Sequence, residues 1–101
     1  MFEFLKKLWG SKTDFAALLK SGAIIIDVRS PQEYDSGHIK GSKNIPVNLI
    51  HRDVEMIKKW ATPIIVVCQS GARSNMAKSI LKRAHIEVYN GGSWMSLKSK
   101  I

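Results

Sequence analysis

Two runs of branched apolar residues constrain this chain more than anything else in it: Ala23-Ile24-Ile25-Ile26-Asp27-Val28 and Ile64-Ile65-Val66-Val67. Their near-continuous apolar character reads as strands buried on both faces, the pattern of a parallel sheet covered by helices. Helical signals fall between and around them. Thr13 is the expected N-cap of a helix over Asp14 to Lys20, with Phe15, Leu18 and Leu19 on one face and Gly22 as its stop. Ser30-Pro31-Gln32-Glu33 combines an N-cap serine, a first-turn proline and a glutamate three residues on, a capping box that starts a short helix. Gly37 and Gly41 bracket a loop, and Asn44 to Asn48 reads as a short extended piece.

From Leu49 to Trp60, Ile50, Val54, Ile57 and Trp60 recur at three- and four-residue steps and predict a helix that lies on the sheet. Beyond Arg73, Met76, Ala77, Ile80, Leu81 and Ala84 line one side of a further helix, with Lys78, Ser79, Lys82 and Arg83 on the other. Ile86 to Tyr89 reads as a last strand that ends at Asn90-Gly91-Gly92. Strands and helices therefore alternate with short connections. The expected architecture is α/β, a small, mainly parallel sheet flanked by helices on both faces, built as one domain over residues 1–101. Ligands of such sheets bind beyond the carboxyl ends of the strands, where Asp27-Val28-Arg29 and the segment after Val67 both fall.

Hydrophobic residues make up 45% and charged residues 24%, the balance of a soluble globular chain, and no apolar stretch approaches a membrane span. Met1 to Gly10 lacks the basic start, long apolar centre and small-residue cleavage site of a secretory signal and reads as part of the mature protein. A single cysteine cannot form an internal disulfide and suits a reducing compartment, which points to the cytoplasm. The formal net charge is +8. The basic residues are scattered as Lys6-Lys7, Lys58-Lys59, Lys82-Arg83 and Lys98 to Lys100 without interleaved aromatics, which argues against a nucleic-acid surface. That charge would instead concentrate small anions near a site and steer an acidic partner protein toward it.

The one cysteine, Cys68, closes the second apolar run and opens Cys68-Gln69-Ser70-Gly71-Ala72-Arg73-Ser74, read as a strand-to-helix loop. Such a loop aims successive backbone N–H groups and the positive end of a helix dipole at the sulfur, which favours thiolate over thiol. Gly71 lets the backbone turn so that the N–H groups converge, and Arg73 supplies a permanent cation for an oxyanion. A buried, inert cysteine is the alternative for an arbitrary position; this context favours a nucleophile. Asp27 and Arg29 are expected to support the site structurally, through an Arg29–Glu33 pair and hydrogen bonds from loop amides to Asp27. His38, His51 and His85 are widely spaced and match no metal pattern with the cysteine, so neither a metal nor a cofactor is expected.

Taken together, these segments resemble the single-domain rhodanese sulfurtransferases: Ile26-Asp27-Val28-Arg29 with Glu33-Tyr34, Gly37 to Pro46, Val66-Val67-Cys68 through Arg73-Ser74, and Asn90-Gly91-Gly92, in that order. The resemblance implies that Cys68 takes the outer sulfur of an anionic donor such as thiosulfate or a persulfide, becomes a persulfide, and passes the sulfur to cyanide or a thiol. It also implies that Gln69, Ser70, Gly71, Ala72, Arg73 and Ser74 hold the donor. The six residues from Cys68 to Arg73 resemble the sulfurtransferases, whereas related phosphatases of the fold carry one more residue to make room for phosphate. The family often places a tryptophan four residues after its second glycine. Here that position is Ser96, and Trp94 lies two residues earlier, which implies a different edge to the pocket. The rival readings are a cysteine-based phosphatase or arsenate reductase of the same fold, and a non-catalytic persulfide carrier that docks on a partner.

Overall fold

A computed structural model describes residues 13–101; the reading of Met1 to Gly10 lies outside the described residues. In chain order the elements are α1 (Phe15–Lys20), β1 (Ile24–Asp27), α2 (Pro31–Asp35), β2 (Lys43–Asn44), a 3₁₀ turn (Val47–Leu49), α3 (Ile50–Lys59), β3 (Ile64–Cys68), α4 (Ala72–Arg83), β4 (Val88–Ser93) and α5 (Trp94–Lys98). The strands form one sheet in the order β2-β1-β3-β4, and every pairing is parallel. The two apolar runs are its inner strands, β1 and β3, paired Ile24 to Ile64 through Asp27 to Val67.

Alternation along those strands sorts their side chains onto two faces. Ile26, Ile64, Val66 and Cys68 pack with Ile50 and Ile57 of α3 and Ala77 and Leu81 of α4. Ile25, Ile65 and Val67 pack on the other face with Leu97 of α5, alongside Phe15, Leu18 and Trp94. Ile26 and all of Ile64 to Val67 are fully shielded from solvent. Burial of each such side chain contributes about 1.5–3 kcal/mol, which makes these strands the main source of stability.

Several boundaries differ from expectation, each for a local reason. The cap of α1 is Asp14, whose carboxylate accepts from the Ala17 N–H at 3.0 Å, and not Thr13. Of the expected extended piece only Asn44 is strand, in a β2 that starts one residue earlier at Lys43, because the chain turns at Pro46 into the 3₁₀ turn. Met76 is 59% exposed, and the buried stripe of α4 is Ser74, Ala77 and Leu81. The last strand starts later than expected and runs through the glycines. Asn90 pairs with Val66 and Gly92 with Val67, so Gly91 is the extra residue of a β-bulge. A Cβ at Gly91 would lie 2.9 Å from Val67 Cγ1 and 3.2 Å from Leu97 Cδ2, closer than side chains pack.

The chain leaves β1 toward β2 on one side and leaves β3 toward β4 on the other. The sheet therefore switches direction between β1 and β3, and the carboxyl ends of those two strands share the crevice where α/β sheets bind ligands.

Candidate active site

Cys68 stands at that crevice. It is the last residue of β3, paired with Ser93 and fully buried, and not a loop residue as expected, because its side chain continues the packed face of the strand. The turn that follows is short, since α4 already begins at Ala72. Arg73 and Ser74 thus belong to the first turn of a helix. Gly71 caps that helix with φ +106°, a left-handed conformation that suits glycine, and no side chain caps it. The cap instead aims its N–H at the cysteine: Gly71 N lies 2.9 Å from Cys68 Sγ.

Burial pushes the Cys68 thiol up, but its hydrogen bonding with the Ser74 side chain and with the backbone N–H groups of Ser74, Gly71 and Ser70 outweighs it, so the thiol is held below its ordinary value of 9.0. The site thus favours negative sulfur through backbone dipoles at a helix N-terminus and the adjacent Ser74 side chain. Of the expected amide cradle, Ser70, Gly71 and Ser74 reach the sulfur. Gln69, Ser70 and Ala72 are exposed at the mouth.

Arg73 does not stand free for an oxyanion. Its Nη1 and Nη2 donate to Glu33 Oε1 and Oε2 at 2.7 and 2.9 Å, a bidentate pair reaching from α4 to α2. The same Glu33 completes the predicted capping box, accepting from the Ser30 N–H at 3.1 Å. Arg73 and then the Ser30 N–H hold the Glu33 carboxyl down to about 2.

Glu33 is thereby committed to Arg73, and the expected Arg29–Glu33 side-chain pair does not form. Arg29 Nη2 donates to Asp27 Oδ2 at 2.7 Å and to the Gly37 carbonyl, and Arg29 Nη1 donates to the Glu33 carbonyl at 3.3 Å. Asp27 Oδ1 also accepts from the Arg29 N–H at 3.0 Å, the expected loop-amide bond. Both residues are buried, and the Arg29 guanidinium lies 4.7 Å from the centre of the Trp94 ring. Trp94 occupies the space above Gly37, where a Cβ would lie 3.3 Å from its ring. The displaced tryptophan therefore roofs the Asp27–Arg29 pair, and Ser96 is exposed.

Sequence reasoning missed Asn90. Its Oδ1 accepts from the Ser74 hydroxyl at 2.7 Å and from the Gly92 N–H at 2.8 Å, and its Nδ2 donates to the Gly71 carbonyl at 3.4 Å. The amide thus braces the Cys68 turn from behind. No spacing announces a contact made across the sheet, and only its place before Gly91-Gly92 marked the residue.

A groove of about 410 Å³ adjoins Arg73, lined by Val28, Ser30, Pro31, Pro46, Val47 and Leu49 among others. A cavity of about 170 Å³ at the opposite end, between Ala61 and His85, contains no nucleophilic sulfur. No group of three or more His, Cys, Asp or Glu side chains that could hold a metal occurs among the described residues. No helix among them is long and apolar enough to cross a membrane.

An all-parallel sheet with a buried, N–H-bonded cysteine at the carboxyl end of an inner strand defines an α/β domain whose cysteine sits at the crevice where such sheets bind ligands. The chain belongs to the rhodanese family: a family model described as Rhodanese-like domain matches residues 11–97. It is 40% identical over 63 residues to the thiosulfate sulfurtransferase GlpE of Pseudoalteromonas translucida, a match covering 61% of this chain and 58% of that protein. It is 38% identical over 69 residues to the uncharacterized protein YqhL of Bacillus subtilis, covering 67% and 54%. The matched part thus spans little more than half the length of these relatives. Among solved structures, a rhodanese with anions from E. coli aligns with a TM-score of 0.66 at 30% identity, over 74% of this chain and 91% of that one. The human single-domain sulfurtransferase TSTD1 aligns at 0.69 and 27% identity, over 86% and 91%. Two of these relatives, GlpE and TSTD1, are themselves named as sulfurtransferases.

Proposed function

We propose that this protein is a sulfurtransferase that moves a sulfane sulfur from thiosulfate or a persulfide donor to cyanide or a thiol through a Cys68 persulfide. The observation that carries the reading is the buried Cys68 sulfur with the Gly71 N–H 2.9 Å away and its thiol held low. In the first half-reaction the Cys68 thiolate attacks the outer sulfur of thiosulfate. An S–S bond forms to Cys68, the S–S bond of the donor breaks, and sulfite departs with the electron pair. In the second, the acceptor's nucleophilic atom attacks the outer sulfur and Cys68 leaves as thiolate, stabilised by the same N–H groups that favoured it at the start.

Gln69 to Ser74 surround the incoming donor in this scheme, with backbone N–H groups as the main contacts, since Glu33 already holds Arg73. The three residues between Cys68 and Ala72 form a small cradle, which favours a sulfur atom over a full phosphoryl group. A single free thiol suits a reducing compartment, and we place the protein in the cytoplasm, where an excess of lysine and arginine would favour an acidic protein thiol as acceptor. The test is steady-state assay with thiosulfate and cyanide. Parallel double-reciprocal lines, thiocyanate as product and no turnover of an aryl phosphate are expected. Aryl-phosphate turnover without thiocyanate would replace this reading with the phosphatase one, and loading without repeated turnover would replace it with the carrier one.

A further inference from the structure

The Ser74 hydroxyl carries one proton and lies between three acceptors: Asn90 Oδ1 at 2.7 Å, the Gly71 carbonyl at 3.0 Å and Cys68 Sγ at 3.4 Å. Of the three, Asn90 Oδ1 is the nearest, and the orientation of its amide makes it an acceptor. Gly92 N–H points at the same side-chain atom from 2.8 Å, so that atom is the oxygen, and an oxygen facing Ser74 can only accept. The resting arrangement is a relay in which Cys68 S–H donates to Ser74 Oγ and Ser74 O–H donates to Asn90 Oδ1. When the thiol loses its proton the first bond is lost, and the negative sulfur faces a lone pair of Ser74 unless the hydroxyl turns.

We propose that the Ser74 hydroxyl is a two-position donor and that Asn90 is the positioning residue that sets how readily it turns to the sulfur. The inference rests on the reading of Cys68 as the nucleophile, and it adds a control on that nucleophile from β4. With the proton on Asn90 the sulfur is a thiol bonded to Ser74 Oγ; with the proton turned to Sγ the thiolate gains the hydroxyl in addition to the N–H groups of Ser70, Gly71 and Ser74. Neither neighbouring charged pair competes for this proton. Arg73 of α4 is held by Glu33 of α2, Asp27 of β1, opposite Val67, is held by Arg29, and the nearest residues of β4, Asn90 and Ser93, do not titrate. Ser74 is itself fully buried, so water does not take the place of either acceptor.

The experiment is titration of Cys68 by thiolate ultraviolet absorbance, which reports this residue alone because the chain has one cysteine, with Cys68→Ser as the blank. Asn90→Leu removes the nearer of the two acceptors that compete with the sulfur and leaves the Gly71 carbonyl, and the thiol is expected to titrate at lower pH. In a Ser74→Ala background the same substitution is expected to change nothing, and equal shifts in the two backgrounds would overturn the proposal. Asn90→Asp keeps an acceptor for Gly92 N–H and remains informative if Asn90→Leu does not fold. It is expected to raise the thiol by about one unit, about a tenfold loss of thiolate at pH values below its titration, and by less when Ser74 is absent. A rise of the same size with and without Ser74 contradicts the switch. The titration needs no sulfur donor, so a failure of the switch and a failure of sulfur transfer are separate outcomes.

Discussion

At Glu33, one carboxylate accepts from the Ser30 N–H, the Ser30 hydroxyl and both terminal nitrogens of Arg73, and so joins the start of α2 to the start of α4 across the crevice. Because its carboxyl is held near 2 against an ordinary 4.5, the stability it contributes is present above the ordinary value and fades as the pH falls toward the native one. Observed by carboxyl NMR, the Glu33 titration is expected near 2 in the native protein and to move up toward 4.5 in Arg73→Leu; an unmoved titration would show that Arg73 is not the cause. Cys68 has the same sign. Its native thiol is held below the ordinary 9.0, so its contribution to stability grows as the pH rises through the native value toward 9.0. Cys68→Ser is therefore expected to lose that part of the rise when denaturant unfolding is followed as a function of pH, and a parallel curve would contradict it.

At the scale of elements, the turn into α4 and the bulge in β4 fix the site. Gly91→Ala would drive a methyl group to 2.9 Å from Val67 and 3.0 Å from Ile65, and is expected to cost about 1–3 kcal/mol in denaturant unfolding; a loss under half a kcal/mol would mean the bulge relaxes freely. Leu81→Ala, on the buried stripe of α4, is expected to cost about 2–5 kcal/mol by the same measurement. These elements differ in how far the sequence announces them. β1, β3 and the capping box of α2 were legible because unbroken branched residues and a Ser-Pro-x-Glu pattern have few other uses. The extent of β4 was not legible, because Asn-Gly-Gly reads as a turn and only pairing with β3 draws it into the sheet. Met76 was misplaced because helical spacing alone does not say that Ser74, a small polar residue, would take the buried position. Cys68 and the converging amides were legible from a strand followed by a glycine turn. The partners of Arg73 and Ser74 were not, since Glu33 and Asn90 arrive from distant parts of the chain.

Among the described residues, one sheet with two packed faces holds the carboxyl ends of β1 and β3 side by side, with Cys68 ending β3, a buried ion pair, Asp27–Arg29, starting at the end of β1, and a half-exposed one, Glu33–Arg73, joining α2 to α4. The chain carries a formal net charge of +8, so association with a dianionic donor is expected to weaken as salt is raised, visible as a rise in KM for thiosulfate with little change in kcat. The most direct test of the central claim is the intact mass of the purified protein after thiosulfate and again after cyanide, with Cys68→Ser in parallel. A gain of one sulfur atom that cyanide removes, absent from Cys68→Ser, is the predicted result. No gain with thiosulfate or with a persulfide donor, or a gain retained in Cys68→Ser, would contradict a Cys68 persulfide as the carrier of the sulfur.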